Sequence, residues 1–315
     1  MVWHVLLLLA SLVVLAVSGD QFVIRVGSLA SVLRVRPTVV GAVIGGLGAS
    51  LSDLMVAGVA TGGGSPQLAV GTLVGSIIVN VCIALALAAL VAPVRVDSRT
   101  LRREAPVTVA AVVLFALLLP GGLSRVEGIV LAVALVVTVA ALVANAGQSR
   151  RGDELEVEVR RFFPPPSALH LARQGAATVA ALAFMVGAAE LMVHSASALA
   201  DRLAVAESFV GLTLAAVGTS APLIAIAVQA ARRGNHDLVV GNVLGSNLFI
   251  ALAGGAMVAL MRPGAATVLG LLPLMVMGAV TVAAWGFMAR GSVVTRWEAS
   301  LLIAAYGATL PFLAR

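Results

Sequence analysis

Long apolar segments dominate the chain and restrict what it can fold into. They lie at about residues 3–32, 38–61, 67–92, 105–120, 124–144, 172–200, 208–231, 238–261, 266–288 and 298–314. Lipid offers no partner to an unpaired backbone amide, and segments this long and uniformly apolar are not barrel strands, so we expect helices. Ten spans of roughly 20–25 residues would use most of the 315 residues. The sequence predicts an all-α membrane protein with ten transmembrane helices.

The composition supports a membrane environment and excludes several soluble classes. Hydrophobic residues make up 61% of the chain and charged residues 11%, whereas soluble domains have about 45–50% and about 25%. The net charge of +6 would suggest nucleic acid in a soluble protein, but the charges here flank the spans, so we expect no nucleic-acid partner. The single cysteine, Cys82, excludes an internal disulfide and a cysteine metal cluster.

Arginines predict the orientation of the spans. The chain has 20 arginines and no lysine. Assigned to alternate sides, 16 fall on one side, and only Arg125, Arg202, Arg262 and Arg315 fall on the other. Because basic residues are enriched in cytoplasmic loops, the first side is predicted to be cytosolic and both termini extracytoplasmic, in the cell membrane. We expect the first span to be retained, since no basic residue precedes it as in a signal peptide.

The chain repeats itself at an offset of 170 residues. VGAVIGGLGAS at 40–50 pairs with VGLTLAAVGTS at 210–220, and GTLVGS at 71–76 pairs with GNVLGS at 241–246. Twelve of 37 positions between 40 and 76 are identical without a gap. Each half holds five spans, an odd number, so the second half must enter the membrane from the opposite side. Two inverted five-helix repeats are therefore predicted, over 1–145 and 171–315, joined by a cytosolic linker at 146–170; this is an arrangement of secondary transporters.

Small polar side chains and one carboxylate lie within the matching spans. Asp53 stands in an apolar span, where a carboxylate costs roughly 2.5–3.5 kcal/mol or more, so a functional role is expected. Hydroxyl, amide and carboxylate oxygens suit Na⁺, Ca²⁺ or a proton. Small residues also serve helix packing, which is the alternative for any single one of them. The predicted ion-binding set is Asp53, Ala49, Ser50, Ser76, Asn80, Thr219, Ser220, Ser246 and Asn247, with Asp53 as the ligand for Na⁺ or Ca²⁺.

Two pairs of motifs resemble a known family. G-x-G-A-S-L-S-D at 46–53 and G-T-S-A-P at 218–222, each followed by G-[TN]-[LV]-[VL]-G-S, look like the two α-repeats of the cation/Ca²⁺ exchanger superfamily. These α-repeats would cover about 38–92 and 208–261. The resemblance implies a ten-span inverted-repeat antiporter that exchanges Ca²⁺ for Na⁺ or H⁺. It also implies ion sites formed by the second, third, seventh and eighth spans, with no cofactor besides the transported cations.

The chain departs from the family pattern at the acidic positions. The family motif G-T-S-x-P-E has a glutamate in both repeats, where this chain has Asp53 and Leu223. The polar residue four positions after the serine of G-S is Asn80 in the first repeat but Ile250 in the second. Ca²⁺ takes about six to eight oxygens and relies on formal negative charge. A single carboxylate balances one Na⁺ or one proton, and the two can compete for it.

Three further ionisable groups lie within the predicted spans. Asp20 and Glu190 are equivalent in the repeat, and His194 follows Glu190 by one helical turn. They could carry a proton or supply accessory charge. The alternative is that they are interfacial or packing groups near the helix ends.

Two hypotheses of function follow. The first is an alternating-access cation antiporter with an altered, charge-poor site for Na⁺, H⁺ or Ca²⁺. The second, motivated by Leu223 and Ile250, is a transporter-derived binding or assembly protein that does not exchange ions. An enzyme is not expected, because the chain has no HExxH or GxSxG motif.

Overall fold

The structure, a computed structural model, describes residues 2–32, 46–96, 104–146, 171–264 and 269–313. The part of the chain that it describes contains ten helices. We number them in chain order: α1 Val2–Val32, α2 Gly46–Gly63, α3 Pro66–Val91, α4 Ala105–Gly121, α5 Arg125–Ala146, α6 Leu171–Leu203, α7 Glu207–Arg232, α8 His236–Met261, α9 Leu271–Gly291 and α10 Arg296–Leu313.

The helices fall on the predicted spans, and the all-α membrane fold is confirmed. Seven of the described helices are long and apolar enough to cross a bilayer; α2, α4 and α10 are shorter or more polar. Four parts of the prediction lie outside the described residues: the start of the second span at 38–45, the start of the ninth at 266–268, the end of the tenth at 314, and the linker at 147–170.

α3 and α8 form the centre of the bundle. In each of them 78% of the most apolar 18-residue window is buried, compared with 11% in α5. α1 and α6 are the longest helices and pack against each other, and only 28% of the apolar window of each is buried. A polar residue on α3 or α8 is therefore enclosed by protein, whereas one on the outer face of α1 or α6 is not.

Loop contacts show that the two halves are inverted. The short strand β1, Val94–Arg95, follows α3 and pairs in antiparallel register with β2, Val293–Val294, which follows α9. At the other end of α4, the backbone N–H of Gly264 in the α8–α9 loop donates to the carbonyl of Leu123 at 2.8 Å. The α3–α4 loop and its repeat counterpart, the α8–α9 loop, thus lie at opposite ends of the bundle.

Candidate functional site

A close crossing of α3 and α7 brings the two halves together. A Cβ atom at Gly75 would lie 2.5 Å from the carbonyl oxygen of Leu212, and one at Gly71 would lie 2.4 Å from that of Ser208. In the same way, a Cβ atom at Gly211 on α7 would lie 2.6 Å from the carbonyl oxygen of Leu68 on α3. Backbone therefore packs on backbone, as is common where lipid supplies no hydrophobic drive between helices. The crossing places the residue after Gly75, Ser76, beside α7.

Three side chains from three helices, Asp53, Ser76 and Thr219, lie next to one another. The Ser76 hydroxyl on α3 donates a 2.5 Å hydrogen bond to Oδ1 of Asp53 on α2. The same hydroxyl lies 3.3 Å from Oγ1 of Thr219 on α7, and the Thr219 hydroxyl donates to the carbonyl of Ala215 in its own helix at 2.9 Å. Each of the three is at most 2% exposed. The carboxylate is thus enclosed by protein and bonded to Ser76, whose hydroxyl also lies next to Thr219 of the second half.

One turn further along α3, a second cluster joins α3 to α8. The Asn80 side-chain amide donates to Oδ1 of Asn247 at 2.9 Å and to Oγ of Ser246 at 3.3 Å. Asn247 in turn donates to the backbone carbonyl of Ile77 at 3.4 Å. Ile77 and Asn247 are equivalent positions in the repeat, so this bond crosses between counterparts. Since Ser76 and Asn80 are one turn apart on α3, the two clusters form one polar region at the centre of the bundle.

Two π-helical segments lie beside this region at equivalent places in the repeat. One covers Asn80–Leu85 in α3 and the other Ile250–Gly254 in α8. π-Segments break the regular hydrogen-bond ladder and frequently occur at functional sites. A third, Gly211–Ala215, precedes Thr219 in α7. The backbone departs from α-helical geometry on three sides of the polar region.

Two buried oxygen atoms in the region have no hydrogen-bond partner among the residues that the structure describes. These are Oδ1 of Asn80 and Oγ of Ser220, on side chains that are at most 1% exposed. An unsatisfied buried polar group is costly. Oxygen acceptors of this kind suit a hard cation such as Na⁺. These two oxygens and the Asp53 carboxylate are therefore the candidate ligands for a transported cation.

The two remaining residues of the predicted set contribute less to this region. Ser50 is buried and its hydroxyl donates to the carbonyl of Leu47 in its own helix at 3.3 Å. Ala49, the repeat counterpart of Thr219, is only partly buried and packs against the apolar core. The first repeat thus presents a methyl group where the second presents a hydroxyl.

The negative charge of the region comes from Asp53. Of the nine acidic residues that the structure describes, Asp53 is the only buried one. Its repeat counterpart, Leu223, is 2% exposed, and Ile250, the counterpart of Asn80, is fully buried. No group of three or more His, Cys, Asp or Glu residues within the described ranges could hold a metal ion. Any cation site here consists of one carboxylate and neutral oxygens.

The structure places the three accessory candidates away from this region. Asp20 on α1 and Glu190 and His194 on α6 are all exposed. Gly19, the residue before Asp20, faces Ser52, so the Asp20 side chain points to another side of α1. Within the described ranges, no hydrogen bond or ion pair joins any of the three to Asp53 or Asn80.

One polar cluster was not predicted from the sequence. Ser65, which precedes α3, donates to a carboxylate oxygen of Glu207 on α7 at 3.0 Å and lies 3.4 Å from Oγ of Ser197 on α6. Ser197 and Glu207 lie 132 and 142 positions from Ser65 in the chain. They are not equivalent in the repeat, so no pattern in the sequence pairs them.

Comparison with known proteins supports the resemblance. The family described as "Sodium/calcium exchanger protein" matches residues 3–144 and 175–314. The inner membrane protein YrbG of Escherichia coli K12 is 35% identical over 82% of this chain and 80% of its own length. The sodium/calcium exchanger MaX1 of Methanosarcina acetivorans is 25% identical over 97% of each chain.

Solved structures match the fold. The sodium-calcium exchanger NCX_Mj, in crystals soaked with Na⁺ and Sr²⁺, superimposes with a TM-score of 0.65 and 25% identity. The superposition covers 98% of this chain and 97% of that one. The chain therefore shares its fold with that exchanger over almost its whole length.

Proposed function

This chain belongs to the sodium/calcium exchanger protein family, and from this premise we propose that it is an antiporter whose single-carboxylate site carries Na⁺ or a proton in preference to Ca²⁺. Membership makes it a multi-pass cation transporter. The ion preference rests on the charge of the polar region. The observation that supports this preference is that Asp53 is the only buried acid among the described residues.

The electrostatic argument compares the charge of the ion with that of its site. A Na⁺ ion or a proton on Asp53 leaves the pair neutral. A Ca²⁺ ion would leave about one uncompensated positive charge in a region shielded from water, where charge is expensive. Neutral oxygens from Ser76, Thr219, Asn80 and Ser220 can replace part of a hydration shell, but they cannot neutralise the second charge.

The polar region is also suited to alternating access. Its groups come from both repeats, so movement of one repeat against the other would change which face of the membrane the region opens to. The Ser76–Thr219 and Asn80–Asn247 contacts join the halves. Release of a cation would leave Asp53 bonded to Ser76, which keeps the carboxylate partnered during the return step.

We also propose that the protein lies in the cell membrane with both termini extracytoplasmic. β1 and β2 place Arg95, Arg290 and Arg296 at one end of the bundle. The contact between Leu123 and Gly264 places Arg125 and Arg262 at the other end. The positive-inside rule assigns the first end to the cytoplasm, in agreement with the whole-chain count of arginines.

The test is transport by purified protein in liposomes. Uptake of radioactive Na⁺ and Ca²⁺ would be measured under imposed Na⁺ and pH gradients. We expect Na⁺ uptake driven by a pH gradient, much weaker Ca²⁺ uptake, and loss of both in Asp53→Asn. Asp201→Asn, at an exposed position near the end of α6, is the matched control and should transport normally.

Each contrary result has a definite meaning. Ca²⁺ uptake equal to Na⁺ uptake would overturn the ion preference. Normal transport by Asp53→Asn would remove the proposed site. A wild-type protein that folds but dissipates no cation gradient would favour the alternative, an assembly protein in which Leu223 and Ile250 have replaced the ion ligands.

A further inference from the structure

A long apolar groove lies between α1 and α6, on the outside of the bundle. Two adjoining cavities of about 460 and 520 Å³ form it and share the lining residues Val14, Ala180 and Phe184. Small side chains, among them Ala10, Ala177 and Ala183, form much of its surface. Phe184 is 64% exposed and Val17 59% exposed, so the groove opens toward the lipid.

The groove has the length of a lipid chain. On α1 its lining runs from Ala10 to Arg25, which at 1.5 Å per residue is about 22 Å. The hydrocarbon of one leaflet is about 15 Å thick. An extended acyl chain can therefore lie along the groove with its headgroup at one end.

That end is polar and positively charged. Arg25 and Gln21 close the groove, and Nη2 of Arg25 donates to Oε1 of Gln21 at 2.9 Å. Nε of Arg25 is buried and has no hydrogen-bond partner in the described part of the chain. Arg173 lies one turn before the lining residue Ala177, at the same end of α6. A guanidinium at the end of an apolar groove is suited to a phosphate group, which it can contact through two N–H groups.

We propose that the α1–α6 groove binds an anionic phospholipid, with an acyl chain along the groove and the headgroup phosphate on Arg25. The arginine distribution assigns this end to the cytoplasmic side, whose leaflet carries the negative surface potential. The site is separate from the buried polar region around Asp53, so its occupancy does not depend on which ion is transported.

Native mass spectrometry can test the proposal. Purified full-length protein in a mild detergent would be titrated with equal amounts of phosphatidylglycerol and phosphatidylcholine that have the same chains. We expect one retained phosphatidylglycerol, preferred about tenfold, because a hydrogen bond to a charged group is worth roughly that factor. Arg25→Gln should remove the preference and keep chain binding, while Ala180→Phe should fill the groove and remove both.

Matched controls keep the test specific. Arg290→Gln removes an exposed arginine at the same end of the bundle, and Ala176→Phe enlarges an exposed alanine on α6 outside the groove lining. Both should bind lipid like the wild type. Retention of phosphatidylglycerol by Ala180→Phe, or an equal loss of preference in Arg290→Gln, would overturn the proposal. So would displacement of the lipid by inorganic phosphate alone, which would indicate a site for a free anion.

Discussion

The side-chain amide of Asn80 donates a 2.9 Å hydrogen bond to Asn247, which lies 167 residues later, in the other half of the chain. Both side chains are at most 1% exposed. A bond between two buried carboxamides holds the repeats in one register at the centre of the bundle. Oδ1 of the same Asn80 side chain has no hydrogen-bond partner in the described part of the chain.

Loss of either asparagine should destabilise the protein, and the two losses should not add. Asn80→Ala leaves Oδ1 of Asn247 without this donor, which should cost about 1–3 kcal/mol. The double variant Asn80→Ala/Asn247→Ala should recover part of that, giving a coupling of roughly 0.5–3 kcal/mol. Unfolding of the purified variants in detergent would measure it. The control combines Asn80→Ala with Thr178→Ala, because the Thr178 hydroxyl bonds within α6. The stability losses of these two variants should be additive. Coupling between them would show that the effect is not specific to the asparagine pair.

Restoring the second acid should create Ca²⁺ binding. Leu223→Glu places a carboxylate at the repeat counterpart of Asp53, giving the region two negative charges. Without Ca²⁺ the variant should be less stable by roughly 2.5–3.5 kcal/mol or more, the cost of a charge inside a membrane protein. Added Ca²⁺ should raise its melting temperature and its Ca²⁺ uptake, since a ligand stabilises the state that binds it. Leu223→Gln has the same shape without the charge and should respond to Ca²⁺ like the wild type; an equal response would refute the charge argument.

The glycine crossing of α3 and α7 should not accept a methyl group. In Gly75→Ala the new Cβ would lie 2.5 Å from the carbonyl oxygen and 2.7 Å from the Cα of Leu212. Backbone must then move, and we expect a loss of about 1–3 kcal/mol in stability together with loss of transport. Gly278→Ala, on α9 with nothing within 4 Å of the added Cβ, should be neutral or slightly stabilising through helix propensity. Thermal unfolding and flux of the two variants form the comparison, and normal transport by Gly75→Ala would contradict the tight crossing.

The proposed orientation predicts which loops react with an impermeant thiol reagent. Cys82 is buried and is the only cysteine of the chain, so Cys82→Ala gives a cysteine-free background. In that background Gly121→Cys, at the α4–α5 loop, should be labelled in intact cells. Arg233→Cys, in the α7–α8 loop, should be labelled only after permeabilisation. The reverse pattern would invert the topology without changing the fold.

Much of the fold could be predicted from the sequence, because two features do not depend on packing: the apolar segments and the number of spans in each repeat. Lipid requires each spanning segment to satisfy its own backbone, so length and apolarity alone locate the helices. Five spans in each repeat fix the inversion, since an odd number reverses the direction of entry. Asp53 was identifiable for the same kind of reason: a carboxylate in an apolar span is expensive wherever the span lies.

Tertiary structure decided which polar groups meet. The sequence places Ser76 and Thr219 on their helices, but their 3.3 Å approach depends on the backbone contact that Gly75 permits. The sequence assigned Asp53 as the ligand, but it left open whether Asp20 and Glu190 supply accessory charge or are interfacial groups. The three side chains point in different directions. α1 and α6 lie at the outside of the bundle and turn Asp20 and Glu190 outward, whereas α2 turns Asp53 toward α3 and α7. Helix periodicity fixes which residues share a face, but only packing between distant helices fixes what that face contacts.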